Sequence, residues 1–176
     1  MSHPHDDPAC DVAHGRAQAP PSGKVLVAVF DTPVARFLLR YGADAGYRAV
    51  LIEPDPQRAK EAGETAPDWL ETGQAVAGPA TGADVVVTDH HRAELGVMLR
   101  DALAGQARWV GIMGNPRVAP PHVAALAELG VSPDQIGRVH RPIGVNIGSR
   151  TPAEIAISTL AGLIADRNGK PGGFEF

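Results

Sequence analysis

The sequence predicts a three-layer α/β fold: a doubly wound, mostly parallel sheet with helices on both faces. Two observations carry this expectation. The run "VLVAVF" (25–30) is continuously apolar rather than alternating, as in a strand buried on both sides, and "ADVVVT" (83–88) and "RWVGIMG" (108–114) read as further strands. Segments with helical spacing stand between them, so strand and helix alternate along the chain. With 176 residues, 44% of them apolar, the chain is long enough for one core, and nothing divides residues 24–170.

The elements follow in order. Residues 1–23 mix Pro, Asp, His and Gly and read as a flexible arm, and 171–176 as a short tail. His3, His5, Asp6, Asp7, Cys10 and His14 are metal-ligand types, although a solvated terminus accounts for them better. After the strand at 25–30, Asp31 or Thr32 caps a helix over 33–45 with Pro33 at its first position, and Gly46 ends it. "YRAVLIE" (47–53) is the second strand, joined by a right-handed crossover. Residues 54–82 are rich in Pro, Gly and acids; a helix or two turns near 56–62 and a short strand at 74–76 are expected there. A strand over 83–88, a helix over 91–104, a strand over 108–114, a helix over 120–129 and an extended segment at 138–140 complete the sheet. The last helix is the best signed. Thr151 is its N-cap, Pro152 its first residue and Glu154 completes a T-x-x-E box. Ile155, Thr159, Leu160, Leu163 and Ile164 form its inward stripe, Asn168-Gly169 stops it, and Arg167 suits the C-terminal dipole.

In such Rossmann-like sheets, ligands lie beyond the C-terminal ends of the strands. Five groups converge there: Asp31-Thr32-Pro33, Glu53-Pro54-Asp55, Thr88-Asp89-His90-His91, Gly114-Asn115-Pro116-Arg117 and the loop over 142–151. The glycines that let a pyrophosphate touch the first turn are absent, and Asp31 would repel one, so helix capping by Asp31 or Thr32 is the better account. Glu53 stands about twenty residues further on, where an acid would hold a ribose hydroxyl; a solvated acid at a strand end would look the same. His90 suits proton transfer near neutral pH, while Asp89 suits a helix cap. Adjacent histidines on extended backbone point apart, so His90 and His91 share a metal only where the chain bends. Gly144, Gly148, Ser149 and Arg150 before a capped helix have two readings. They form an anion site of free N–H groups and a fixed charge, or they only permit a turn.

Composition narrows the partners. A net charge of −4 gives no reason to expect nucleic acid or an anionic membrane surface, and no apolar run is long enough to span a bilayer. A single cysteine excludes an internal disulfide and fits a reducing cytoplasm.

"WVGIMGNPR" and "LGVSPDQIGRVHRPIGVNIGSRTPAEIAISTLAGLIADRNG" resemble the C-terminal Rossmann-type domain of the XdhC/CoxI family, accessory factors of xanthine dehydrogenase and related molybdenum hydroxylases. His140, Pro142, Ile143, Gly144, Ile147, Gly148, Thr151, Pro152, Glu154, Ile155 and Ala156 match the family pattern. The agreement runs from about Ala83 to Gly169 and more loosely back to Lys24. Phe30-Asp31-Thr32 departs from the family's first glycine turn, Thr88-Asp89-His90-His91 from its Thr-His-Asp, and Gly114-Asn115-Pro116-Arg117 from its Gly-Ser-Arg. No counterpart of the family's N-terminal domain with its Gly-Gly-Cys motif is found, which reads as a stand-alone module. The resemblance implies binding of the molybdenum cofactor as cargo, as molybdopterin or its cytosine dinucleotide. It implies protection of that cofactor during sulfuration by a cysteine desulfurase-type sulfurtransferase, and insertion into an apo molybdenum hydroxylase of the xanthine dehydrogenase or carbon monoxide dehydrogenase type. Such a carrier need not catalyse anything. The expected cofactor-binding residues are Asp31, Thr32, Glu53, Asp89, His90, Gly114, Asn115, Gly144, Gly148, Ser149, Arg150 and Thr151. Two alternatives remain: an NAD(P)-dependent oxidoreductase, by analogy of fold, and a non-catalytic docking module of the same maturation route. A homodimer is compatible with each.

Overall fold

The computed structural model describes residues 8–18 and 22–173. Its centre is a six-stranded sheet, parallel throughout, in the order β3-β2-β1-β4-β5-β6. The strands are β1 (Val25–Val29), β2 (Arg48–Ile52), β3 (Leu70–Gly73), β4 (Asp84–Val87), β5 (Trp109–Ile112) and β6 (Val139–His140). Helices α2 (Pro33–Asp44), α3 (Pro56–Glu64), α4 (Ala77–Ala80), α5 (Leu95–Ala104), α6 (Pro121–Glu128), α7 (Pro133–Ile136) and α8 (Pro152–Arg167) connect or follow them. The doubly wound fold expected from the apolar runs is thus present.

The pleat sorts side chains into two cores. Val27, Val29, Val85 and Val87 face one side, where they meet Leu95, Met98, Leu99, Ala102 and Leu103 of α5 and Leu126 of α6. Leu26, Ala28 and Val86 face the other and meet Leu38 and Leu39 of α2 with Ala156, Leu160 and Leu163 of α8. Both faces of β1 and β4 are covered, which is why their sequences show no polar alternation. On the second side α2 and α8 pack together, and Gly42 lets α2 approach the sheet closely: a Cβ there would fall 2.5 Å from a methyl of Leu26 in β1.

Residues 8–13, inside the arm, form a helical turn, α1 (Pro8–Ala13), none of whose residues is buried. Two expectations are corrected. The strand expected at 74–76 lies at Leu70–Gly73 instead, and Val76 opens α4. Its single buried residue, Leu70, leaves no periodic signal, and β3 is set by pairing with β2 from Ala49↔Leu70 to Ile52↔Gly73. The helix expected from residue 91 begins at Leu95, because Asp89 and the residues after it turn before the helix starts. His3, His5, Asp6, Asp7 and the tail over 174–176 lie outside the described residues. Among the described residues no cluster of His, Cys, Asp or Glu could hold a metal, and no helix is long and apolar enough to cross a membrane.

The end of the sheet away from the strand C-termini is tied by charge. Asp84 is fully buried at the start of β4 and accepts from Arg108 at 2.6 Å and Arg167 at 2.7 Å; Arg108 also reaches Asp166 at 2.6 Å. Arg167, expected to serve the helix dipole, therefore clamps α8 to the sheet. Two of the open spaces lie at the opposite end, beyond the C-terminal ends of the strands.

Candidate functional site

Strand order reverses between β1 and β4, so the loops after these strands diverge to opposite faces and leave a crevice. Two threonines bridge it. Thr88 donates to the carbonyls of Val29 or Phe30, both at 3.0 Å, and Thr32 donates to Thr88 at 3.0 Å. Thr32 also caps α2 by accepting from the Ala35 N–H at 3.1 Å, as the capping account required. Beside this bridge lies a cleft of about 520 Å³, lined by Val34, Thr88, His90, Met113, Gly114, Asn115, Ile143, Ser149, Ile155, Ser158 and Thr159. No Asp, Glu, Lys or Arg lines it.

His90 is held below the ordinary histidine value, first by burial and then by the neighbouring His91, with Asp89 opposing. The two histidines do not point apart. Asp89 accepts from the His91 N–H at 2.9 Å, the chain turns, and the rings come to 4.0 Å between centroids. His90 lines the cleft, while Asp89 is used in its own turn.

The acids after β1 and β2 sit apart from the cleft. Glu53 is 1% exposed and accepts from both Arg92 guanidinium nitrogens, at 3.2 and 2.8 Å, and from the N–H groups of Asp31 at 3.0 Å and Asp55 at 3.2 Å. Asp31 is gripped by Arg36 through two contacts, at 2.5 and 2.7 Å. Phe30 occupies the left-handed region (φ 73°) where a dinucleotide site would place glycine, and its buried ring lies under the Arg92 guanidinium at 4.7 Å. The protein's own side chains thus pair with one another around the β1 turn. Neither Asp31 nor Glu53 lines the cleft.

The loop before α8 resolves the two readings of its glycines. Thr151 and Glu154 complete the capping box, and the Glu154 carboxylate also accepts from the Arg150 N–H at 2.7 Å and the Thr151 N–H at 3.1 Å. Those N–H groups, expected to be free for an anion, already have one, and they hold the Glu154 carboxyl below its ordinary value. Gly144 (φ 87°) is required by packing: a Cβ would lie 2.5 Å from the Ser158 hydroxyl. Ser158 donates to the Val145 carbonyl, which fixes the loop on α8. Gly148 (φ 67°) faces open space. Gly114 leaves room for Arg141, whose guanidinium supports the β5 loop through the carbonyls of Asn115 at 2.7 Å and Val118 at 3.1 Å.

A second groove of about 520 Å³ adjoins the first and shares Gly114, Asn115, Ile143 and Ser149 with it; Arg117, Gly144 and Gly148 line it as well. Arg117 is exposed and its guanidinium has no partner among the described residues. Of the expected residues, the structure brings His90, Gly114, Asn115, Gly144, Gly148 and Ser149 together around these two spaces. Asp31, Thr32, Glu53, Asp89, Arg150 and Thr151 do not line them. Met113, Ser158 and Thr159 were not expected. Thr159 carried a signal, a polar residue within an inward stripe, and it is 2% exposed yet its hydroxyl has no partner among the described residues.

Residues 26–163 match the family model described as the XdhC Rossmann domain. A curated protein of Escherichia coli (strain K12), "Uncharacterized protein YqeB", is 43% identical over 65 residues, which are 37% of this chain and 12% of that protein. Among solved structures, a xanthine dehydrogenase from Bacillus halodurans is similar with a TM-score of 0.62 at 20% identity, over 84% of this chain and 46% of the other. At that identity the likeness is one of fold. The chain spans less than half the length of either of these proteins.

Proposed function

The chain belongs to the XdhC family, and from that premise we propose that it is a carrier that holds the molybdenum cofactor, as molybdopterin or its cytosine dinucleotide, at the crevice beside β4 and β5. Its client is an apo molybdenum hydroxylase of the xanthine dehydrogenase or carbon monoxide dehydrogenase type, and a cysteine desulfurase-type sulfurtransferase acts on the cofactor while it is held. The observation that carries this reading is the joined pair of spaces at the strand ends, one neutral and hydroxyl-lined, the other open beside the unpartnered Arg117. The residues fit a ligand with a flat polar ring at one end and a phosphate at the other. His90, Asn115, Ser149 and Thr159 offer hydrogen bonds to the ring, and Arg117 offers its charge to the phosphate. Holding and shielding such a cargo needs no proton transfer from the protein.

Use of NAD(P) is disfavoured by the same geometry, because Glu53 and Asp31 are engaged by Arg92 and Arg36 rather than turned to a ribose. The test is equilibrium dialysis of the purified chain against molybdenum cofactor, NAD+ and NADP+ in parallel. Saturable, equimolar retention of the molybdenum cofactor alone is expected. Retention of a nicotinamide dinucleotide alone would favour the oxidoreductase, and retention of none of the three would leave a docking module.

A further inference from the structure

Resting on that reading, the geometry points to a fixed orientation of the ligand: the cleft takes an uncharged, hydrogen-bonding heterocycle through the Thr159 hydroxyl, and the ligand's phosphate lies outside it, at Arg117. Two independent observations place the ring. The cleft has no ionised Asp, Glu, Lys or Arg in its wall, so an anion buried there would lose hydration without a counter-charge. Thr159 is nine-tenths buried and more, yet its hydroxyl makes no hydrogen bond within the described residues. The other hydroxyls of the wall have protein partners: Thr88 with the β1 carbonyls, Ser149 with the Glu154 carbonyl and Ser158 with the Val145 carbonyl. Among the described residues the wholly enclosed side-chain atoms without a partner belong to Tyr47, His122, Arg141 and Arg167, so the Thr159 hydroxyl keeps accessible surface and, on a residue that lines the cleft, can bond a ligand atom.

The phosphate is directed by exclusion and by charge. The N–H groups before α8 are filled by Glu154, and the β1 turn is filled by Phe30, Arg92 and Arg36. Arg117 is the cation that lines the adjoining groove, and Gly148 keeps the wall opposite free of a side chain. A phosphate on a ring held in the first cleft therefore leaves through the shared residues Asn115 and Ser149 into the second.

The experiment is a methyl-NMR titration of the full chain with two probes, free pterin and pyrophosphate, in the parent, Thr159→Val, Thr159→Ser and Arg117→Gln. Pterin is expected to shift the Thr159 and Ile155 methyl signals. Thr159→Val should weaken it about 3- to 10-fold while Thr159→Ser retains it, the size expected for one neutral hydrogen bond. Pyrophosphate should shift Val145 and Ile147 instead and lose its effect in Arg117→Gln. Valine is isosteric and the lost hydroxyl has no partner, so Thr159→Val keeps the fold; an unchanged melting curve checks this. Unaltered pterin binding in Thr159→Val, no pterin binding to the parent, or pyrophosphate shifts at Thr159 would overturn the orientation. Failure of the molybdenum cofactor to be retained while the pterin arm behaves as stated would instead remove the carrier reading.

Discussion

Removing Arg92 isolates the most deeply placed charge at the strand ends. In Arg92→Ala the Glu53 carboxylate, 1% exposed, loses the two guanidinium contacts at 3.2 and 2.8 Å and keeps only the N–H groups of Asp31 and Asp55. The guanidinium also leaves the Phe30 ring, which it covers at 4.7 Å. Breaking a buried pair by deleting one partner costs about 3–5 kcal/mol, because the survivor remains dehydrated. Arg92 itself is 13% exposed, so solvent screening reduces this little. For a chain of this length each kcal/mol lowers the melting temperature by about 2–4 °C, which gives a fall of about 6–20 °C. Arg36→Ala is the control. Its pair with Asp31 has the same two-contact geometry but is 34% and 22% exposed, so about 1 kcal/mol or less is expected. Urea denaturation of both variants supplies the comparison. A loss below about 1 kcal/mol in Arg92→Ala would refute the reasoning, because it would mean that water replaces the guanidinium and that Glu53 is available at the crevice after all.

Two further outcomes follow from the same geometry. Gly144→Ala meets both a left-handed backbone and the Ser158 hydroxyl at 2.5 Å, and should cost about 2–5 kcal/mol; Gly148→Ala meets only the backbone term, about 1–2 kcal/mol, so equal denaturation midpoints would contradict the loop packing. His122 is buried at the start of α6, and burial, then the Arg141 charge, depress its affinity for a proton. The unfolded chain then binds more protons below about pH 6.5, so stability is full above that value and falls as the pH drops through it; His90 acts in the same direction. His122→Gln should flatten the decline between pH 7.5 and 5.5, and an unchanged slope would count against a buried neutral imidazole.

Much of this was readable where the physical signal is local. β1 and β5 are buried on both sides and carry no polar residue, and β4 is apolar at every position after Asp84. The start of α8 is fixed by four consecutive residues, and its capping box is formed as the spacing predicted. What could not be read depends on pairs far apart in the chain. Glu53 meets Arg92 across 39 residues and Asp84 meets Arg167 across 83, and no spacing rule connects them. β3 escaped because an edge strand with one buried residue has no pattern of its own. Thr159 was placed correctly on an inward stripe, but only the packing shows that its side of the stripe borders a cleft rather than a methyl group.

The arginines at the strand ends bear on where the proposed ligand's phosphate could sit. Arg36, Arg92 and Arg141 are all engaged by groups of the protein itself: a carboxylate each for the first two, main-chain carbonyls for the third. An arriving phosphate would have to compete with a contact already made at 2.5–2.8 Å, and would meet the paired carboxylate behind it. Arg150 is exposed, but the nearest N–H groups of its loop are taken by Glu154, so an anion there would face a carboxylate at once. Arg117 has neither obstacle, and it borders the groove that continues from the cleft. On the reading proposed above, the phosphate is therefore expected at the β5 loop rather than at the β1 turn, where Phe30, Arg36 and Arg92 stand.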